Sequence, residues 1–390
     1  MADSQSRSVN DAPIIVLSGP FPPPVHGMAV VNNSILTRLL DKNPLIINLS
    51  RELAGSTWMS YAKKTLRALH GCLKIFTLPT RRIKVFYSSV DDGLAGLFVA
   101  LLAQIARLRN CRIILHHHSY RYIIRRTWIM SLLVRTGGKN ATHVFLCDSM
   151  EQDFRALYPG SFCALICPNP VIDPALIAHF GSPPDSTPKS PLTIGFLSNL
   201  MFEKGIKEFI DVIRQAPAHG INLRGIMAGS AFKAEVQAYL DDAKQELGER
   251  LELLGAVHGE RKVLFFKSID LLIFPTLYPS EAFSIVLMEG LLSGCPLITY
   301  GRGCIPILSN IQTVRVLHPE EDFITAALSI INDWSMTDEK LSELKAQAHR
   351  DGIALHRVHV DTHDDLIETI IGAKHPSRRQ SSQTGDIEEA

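Results

Sequence analysis

Short apolar runs recur along the chain, separated by stretches whose apolar positions return at the helical period. In the first half, Ile14–Ser18, Leu45–Leu49, Val85–Ser89, Arg112–His116, His143–Cys147 and Ala164–Cys167 read as strands. In the second half the corresponding runs are Leu192–Leu197, Leu223–Ala228, Leu251–Leu254, Leu271–Phe274, Leu297–Tyr300 and Arg315–Leu317. Amphipathic helices fill the gaps, for example Gly205–Arg214, Ala234–Leu247 and Asp322–Trp334. Strands apolar on both faces and alternating with helices predict an α/β class with parallel sheets covered on both sides. The segment GSPPDSTPKSP at 181–191 can continue neither a helix nor a strand and reads as a linker. The expected organisation is a disordered tail at 1–11, a domain at 12–180, the linker at 181–191, a second domain at 192–355, a helix at 356–374 and a disordered tail at 375–390. Two doubly wound, Rossmann-like domains would face each other across a cleft, with ligands at the facing strand ends.

Composition narrows the class. A chain of 390 residues exceeds one ordinary core, and 46% hydrophobic with 20% charged residues excludes a disordered chain, a coiled coil and a collagen-like repeat. Seven cysteines in this length do not suggest a disulfide scaffold; most lie in apolar runs, as buried free thiols in a reducing cytoplasm would. The N-terminal MADSQSRSVND carries no signal-peptide core, and the apolar stretch Leu94–Ala106 is too short to span a bilayer. The expected location is cytoplasmic. The net charge of +1 hides a division: residues 1–190 hold 21 Lys/Arg against 11 Asp/Glu, the remainder 19 against 28. A basic first half implies an anionic partner.

The segment YPSEAFSIVLMEGLLSGCP at 278–296 carries the densest chemistry. Glu281 falls on a loop after Pro279-Ser280; Phe283-Ser284 opens a helix with Ser284 at the N-cap, and Gly294 with Pro296 closes it. A helix N-terminus there suits a phosphate, and Glu289 on the helix can accept hydrogen bonds from vicinal hydroxyls. Taken alone, the two glutamates fit solvated helix-end residues better than a binding pair.

The ordered set of motifs resembles retaining glycosyltransferase family 4, which has the two-domain GT-B fold and an E-x7-E pair matched by Glu281 and Glu289. Further matches are FLSNLMFEKGIKEFIDVI (196–213), AGS (Ala228–Ser230), LLGAV (Leu253–Val257), DLLIFPTLYPS (Asp270–Ser280) and the ending Gly294-Cys295-Pro296. The resemblance implies that Lys204 holds the donor diphosphate, that Glu281 orients the transferred sugar and that Glu289 binds the donor ribose. It places Gly229, Val257, Phe283 and Ser284 with the donor, and Asn199 where the family usually has an arginine. In the first half, GPFPPPVHGMAVVNNSILTRLL (19–40) matches the loop that approaches the donor phosphates, with Gly27 its glycine. HHHSY (116–120) ends a strand, and His118 matches the family's active-site histidine, with His116 on the same side and His117 turned into the sheet. Three adjacent histidines on a strand cannot converge on a metal. The resemblance further implies a 12–180 acceptor side, a 192–355 donor side and a 356–374 helix packing back on the first domain. The implied activity is retaining, metal-independent transfer of a sugar from a UDP- or GDP-sugar to an acceptor hydroxyl, with no cofactor beyond the donor. A lipid-linked or saccharide acceptor, as in polysaccharide biosynthesis, is the expected second substrate.

Other classes keep some footing. Asn199 leaves open a catalytically weak, nucleotide-sugar-binding partner subunit, and HHH invites a metal hydrolase. No P-loop, no GxGxxG and no Asp-x-Asp pair after a strand is present. HVDTHDD (359–365) reads as a solvated polar helix face. YAKKTLRALHGCLK (61–74) and RYIIRRTWIMSLLVR (121–135) set Lys and Arg among apolar residues, and residues 61–139 hold 15 Lys/Arg against only Asp91 and Asp92. Such helices fit an anionic membrane surface, placing the protein peripherally on the inner face, or else a solvated face whose basic side chains snorkel over the core. Nucleic acid is not expected, because no aromatic platform accompanies the charge.

Overall fold

A computed structural model describes residues 14–25, 27–50, 57–79, 84–90, 92–179 and 189–374. The expected tails and most of the expected linker lie outside the described residues. The chain forms two compact units: the first takes residues up to Pro168 and from Thr362 onward, the second Asn169–Asp361.

The first unit contains β1 (Ile14–Gly19), β2 (Leu45–Asn48), β3 (Lys84–Val90), β4 (Arg112–His117), β5 (Thr142–Phe145) and β6 (Cys163–Ile166) in one parallel sheet of order β2-β1-β3-β4-β5-β6. Every residue of β3 is buried, the polar Lys84, Ser88 and Ser89 included, as in a strand covered on both faces. Helices Thr57–Phe76, Gly96–Leu108 and Trp128–Gly137 lie side by side, the middle one touching both neighbours. Thr127 caps the third, its hydroxyl accepting from the Met130 amide.

The second unit contains β7 (Leu192–Leu197), β8 (Leu223–Ala228), β9 (Leu251–Gly255), β10 (Leu271–Phe274), β11 (Leu297–Tyr300) and β12 (Val314–Leu317), parallel and ordered β12-β11-β10-β7-β8-β9. The order reverses between β7 and β10, where a doubly wound sheet opens a crevice at its carboxyl edge. At the opposite edge Asp270 is fully buried; it accepts from the Thr193 amide at 2.9 Å, from Lys345 Nζ at 3.0 Å and from the Lys189 amide.

Three expectations change. The helix expected at 356–374 is the end of one continuous helix, Asp338–Ile371, because its 34 residues contain no proline and only one glycine to stop it. HVDTHDD is not a solvated face: His359 and His363 are buried and hydrogen-bonded, to the Asn169 carbonyl and to Arg38 respectively, since i and i+4 share one side of the helix. Cys111, Cys167 and Cys295 are free and buried as expected, but Cys147 and Cys304 are not free thiols.

Candidate functional site

At the reversal of the second sheet, two loops are tied together. After β7 the chain makes a turn at Phe202–Lys204 and enters helix Ile206–Gln215 through Gly205, whose φ of 90° favours glycine. A Cβ on Gly205 would stand 2.3 Å from the Pro275 carbonyl oxygen, so only glycine lets the turn rest on the segment after β10. The Leu277 amide donates to the Glu203 carbonyl at 2.9 Å and closes the contact.

That junction brings Lys204 and Glu281 together, 77 positions apart in sequence: Lys204 Nζ lies 2.5 Å from Glu281 Oε2. Thr276 donates to the same oxygen at 3.2 Å. The ammonium also sits over the Tyr278 ring, 4.7 Å from its centroid, and 5.7 Å from that of Phe274. Glu281 is only 8% exposed, so this carboxylate is held by partners rather than by water.

Glu289 projects from helix Ile285–Leu292 and is 3% exposed. Its Oε1 accepts from Lys262 Nζ at 2.8 Å, and Lys262 also reaches Asp173 Oδ2 at 3.1 Å. Its Oε2 is buried with no hydrogen-bond partner. Burial raises the Glu289 carboxyl above the usual range, and Lys262 only partly opposes this. Burial works against the Lys262 ammonium too, but Glu289 and Asp173 outweigh it and hold its pKa up.

The remaining candidates of this unit are spread around that pair. Gly229 follows β8 with φ 141°; its amide donates to the Gly255 carbonyl at 2.8 Å, and a Cβ would fall 1.7 Å from the Ser198 carbonyl oxygen. Val257 and Phe283 are buried, the Phe283 ring edge-on to His359 at 6.2 Å. Asn199 is exposed just beyond β7. Ser284 takes the N-cap place in extended conformation, but its hydroxyl makes no capping bond, contrary to expectation.

The first unit carries Gly27 and the histidines. Gly27 opens helix Gly27–Arg38 and is exposed, with open space where a Cβ would stand. His117 points into the core, bonded to Tyr122 Oη at 3.0 Å and His143 at 2.9 Å and stacked on Phe145. His116 and His118 share the other side with ring centroids 4.0 Å apart, and His116 Nδ1 meets Tyr87 Oη at 2.8 Å. His118 Nε2 is buried and unpartnered. Burial, helped by His363, lowers the His118 pKa to about 3, so the ring is neutral at pH 7. Among the described residues, no grouping of His, Cys, Asp and Glu is arranged to hold a metal ion.

Reading the sequence missed Lys262, Asp173, Thr276 and Asn32. Asn32 is buried and donates to both the Pro20 carbonyl and Ser89 Oγ at 2.8 Å, joining the carboxyl ends of β1 and β3 where the first sheet's order reverses. A polar residue on the buried side of an apolar helix was its available signal. Lys262 and Asp173 had none, because topology and not spacing brings them to Glu289.

Residues 183–349 match the family model of group 1 glycosyl transferases. The phosphatidylinositol N-acetylglucosaminyltransferase gpi3 subunit of Schizosaccharomyces pombe is 31% identical over 166 residues, which are 42% of this chain and span only 36% of that relative's length. Among solved structures, sucrose-phosphate synthase of Thermosynechococcus elongatus superposes with a TM-score of 0.66 at 14% identity, over 93% of this chain and all of that one. HepE of Anabaena, solved in complex with UDP, gives 0.64 at 14% identity over 92% and 99%. The fold is the GT-B fold of these glycosyltransferases.

Proposed function

We propose that the protein is a glycosyltransferase that moves a sugar from a nucleotide-sugar donor, such as a UDP- or GDP-sugar, to an acceptor hydroxyl. The observation that carries this reading is the Lys204–Glu281–Thr276 cluster at the point where the second sheet reverses its strand order. The match of residues 183–349 and the UDP held by a structural neighbour support it.

Each residue has a role in this reading. Lys204 faces the donor diphosphate and stabilises the charge that grows there as the glycosidic bond breaks, which is commonly the largest catalytic contribution. Glu281, freed from Lys204, orients hydroxyls of the transferred sugar. Glu289, fixed through Oε1 by Lys262, offers its unpartnered Oε2 to a ribose hydroxyl. The Gly27 backbone approaches the phosphates, and His118, neutral at working pH, contacts a sugar hydroxyl by hydrogen bonding and not by charge. Transfer proceeds with retention and without a metal, Lys204 supplying the countercharge; no protein nucleophile is assigned. The acceptor is a lipid-linked glycan or a polysaccharide precursor on the cytoplasmic side, a class suggested by the name of the Schizosaccharomyces pombe relative.

A second reading rests on exposed Asn199, which leaves Lys204 as the main charge at the expected phosphate position. A protein with that site could bind donor without turning it over and serve as a partner subunit. Incubation with UDP-glucose, UDP-N-acetylglucosamine and GDP-mannose, read by nucleoside diphosphate release and by thermal shift, separates the two. Release that Lys204→Ala abolishes supports transfer. A thermal shift without release supports the subunit, and neither signal with any common donor defeats both.

A further inference from the structure

The first unit carries a surface that sugar transfer does not use. Helix Thr57–Phe76 buries Ala68 and Ile75 on its inner side, yet its outer side is also apolar: Leu66 is 66% exposed, Leu69 53% and Leu73 61%. Positions i, i+3 and i+7 lie on one face, so these leucines form one stripe. The helix contains no Asp or Glu, and Lys63, Arg67 and Lys74 are interleaved with the stripe. Two helices over, Trp128 is 65% exposed beside a shallow depression lined by Arg126, Ser131, Leu132 and Arg135. The intervening helix Gly96–Leu108 exposes Leu101 and Leu108.

We propose that this three-helix face docks on an anionic membrane, with Leu66, Leu69, Leu73 and Trp128 entering the boundary between headgroups and acyl chains. Lys63, Lys74, Arg126 and Arg135 would pair with lipid phosphates. Charge selects the occupant. A second copy of the chain would bring one basic face against another: none of the three helices contains Asp or Glu, and the exposed Lys74, Arg126 and Arg135 would repel their copies. An anionic bilayer satisfies both the leucines and the cations. Attachment is peripheral, because no described helix is long and apolar enough to cross a membrane. This surface stands independently of the sugar-transfer reading.

The test is flotation of the full chain with vesicles of phosphatidylcholine alone or mixed with phosphatidylglycerol, at low and at physiological salt. The mixed vesicles should capture on the order of tenfold more protein, with capture falling as salt rises. Leu66→Ser/Leu69→Ser/Leu73→Ser should cut capture by roughly tenfold while the circular dichroism spectrum stays unchanged. Arg126→Ser/Arg135→Ser should cut it less and flatten the salt dependence. Trp fluorescence should shift to the blue on mixed vesicles, and Trp128→Phe should remove that shift. Equal partition onto both vesicles, no binding at low salt, or full capture of the leucine variant overturns the proposal. So does a parent dimer that the leucine variant dissociates while vesicles capture neither. Vesicle binding without sugar transfer leaves this proposal standing, and transfer without vesicle binding removes it alone.

Discussion

Both ends of β10 bury a carboxylate against a lysine, but only one end is complete. At the amino edge, Asp270 is fully buried, and its oxygens are occupied by the Thr193 and Lys189 amides and by Lys345. At the carboxyl edge, Glu289 has one oxygen on Lys262 and one with no partner, and the Lys204–Glu281 pair keeps some contact with solvent on its lysine side. A closed set of hydrogen bonds fixes a conformation and has nothing left to give. An open set, costly in a buried place, retains capacity for a ligand. Ion pairs of the same chemistry near the two ends of one strand thus differ in how fully they are satisfied.

The largest effect should come from the closed end. Asp270→Ala leaves Lys345 buried without its carboxylate and should cost about 3–5 kcal/mol of stability, read from the urea midpoint. Glu281→Gln, at the open end, should move that midpoint by less than about 1 kcal/mol while lowering turnover roughly 100-fold. If Glu281→Gln proved the more destabilising of the two, the contrast would fail. Lys262→Met and Glu289→Gln should together cost less than the sum of the singles, with a coupling of about 1–2 kcal/mol in a double-mutant cycle. Because burial already raises the Glu289 carboxyl, donor affinity should weaken as pH falls and Glu289 takes a proton; calorimetry across pH would show it.

The smallest effect tests the first unit. Burial lowers His118 and His143 to about 3, below their unfolded value near 6.5. The unfolded chain therefore binds more protons on acidification, so stability present above pH 6.5 is lost as pH falls. Lowering pH from 6.5 to 5.5 should cost about 1 kcal/mol for each such imidazole, and His143→Phe should flatten the slope. An unchanged midpoint over that interval would show that these rings are not held neutral.

Much of the frame was readable because punctuation bounded it. Leu192–Leu197, Leu223–Ala228, Leu271–Phe274 and Leu297–Tyr300 begin and end where the apolar runs do, against Pro, Gly, Asp, Asn or Ser. Lys204 and Glu281 were both expected near the donor, by resemblance alone; their direct ion pair was not foreseen, because it arises where two loops far apart in sequence meet at the sheet reversal. Lys262 was not foreseen either, because its contact with Glu289 arises from the way β9, helix Glu260–Lys267 and β10 fold back, which no local spacing records. The burial of His359 and His363 was hidden by the charged residues around them. Ser284 shows the reverse failure: the residue type suits a cap, yet its hydroxyl is not used as one.

Lys204 and Glu281 serve as each other's counterion. A diphosphate arriving at Lys204 would therefore exchange one anion for another, and the ammonium would never be stripped bare. The carboxylate released by that exchange needs donors of its own, which sugar hydroxyls supply and a bare nucleotide does not. On the proposed reading, recognition would be a relay: phosphate would be read first, and the sugar by the group that the phosphate sets free.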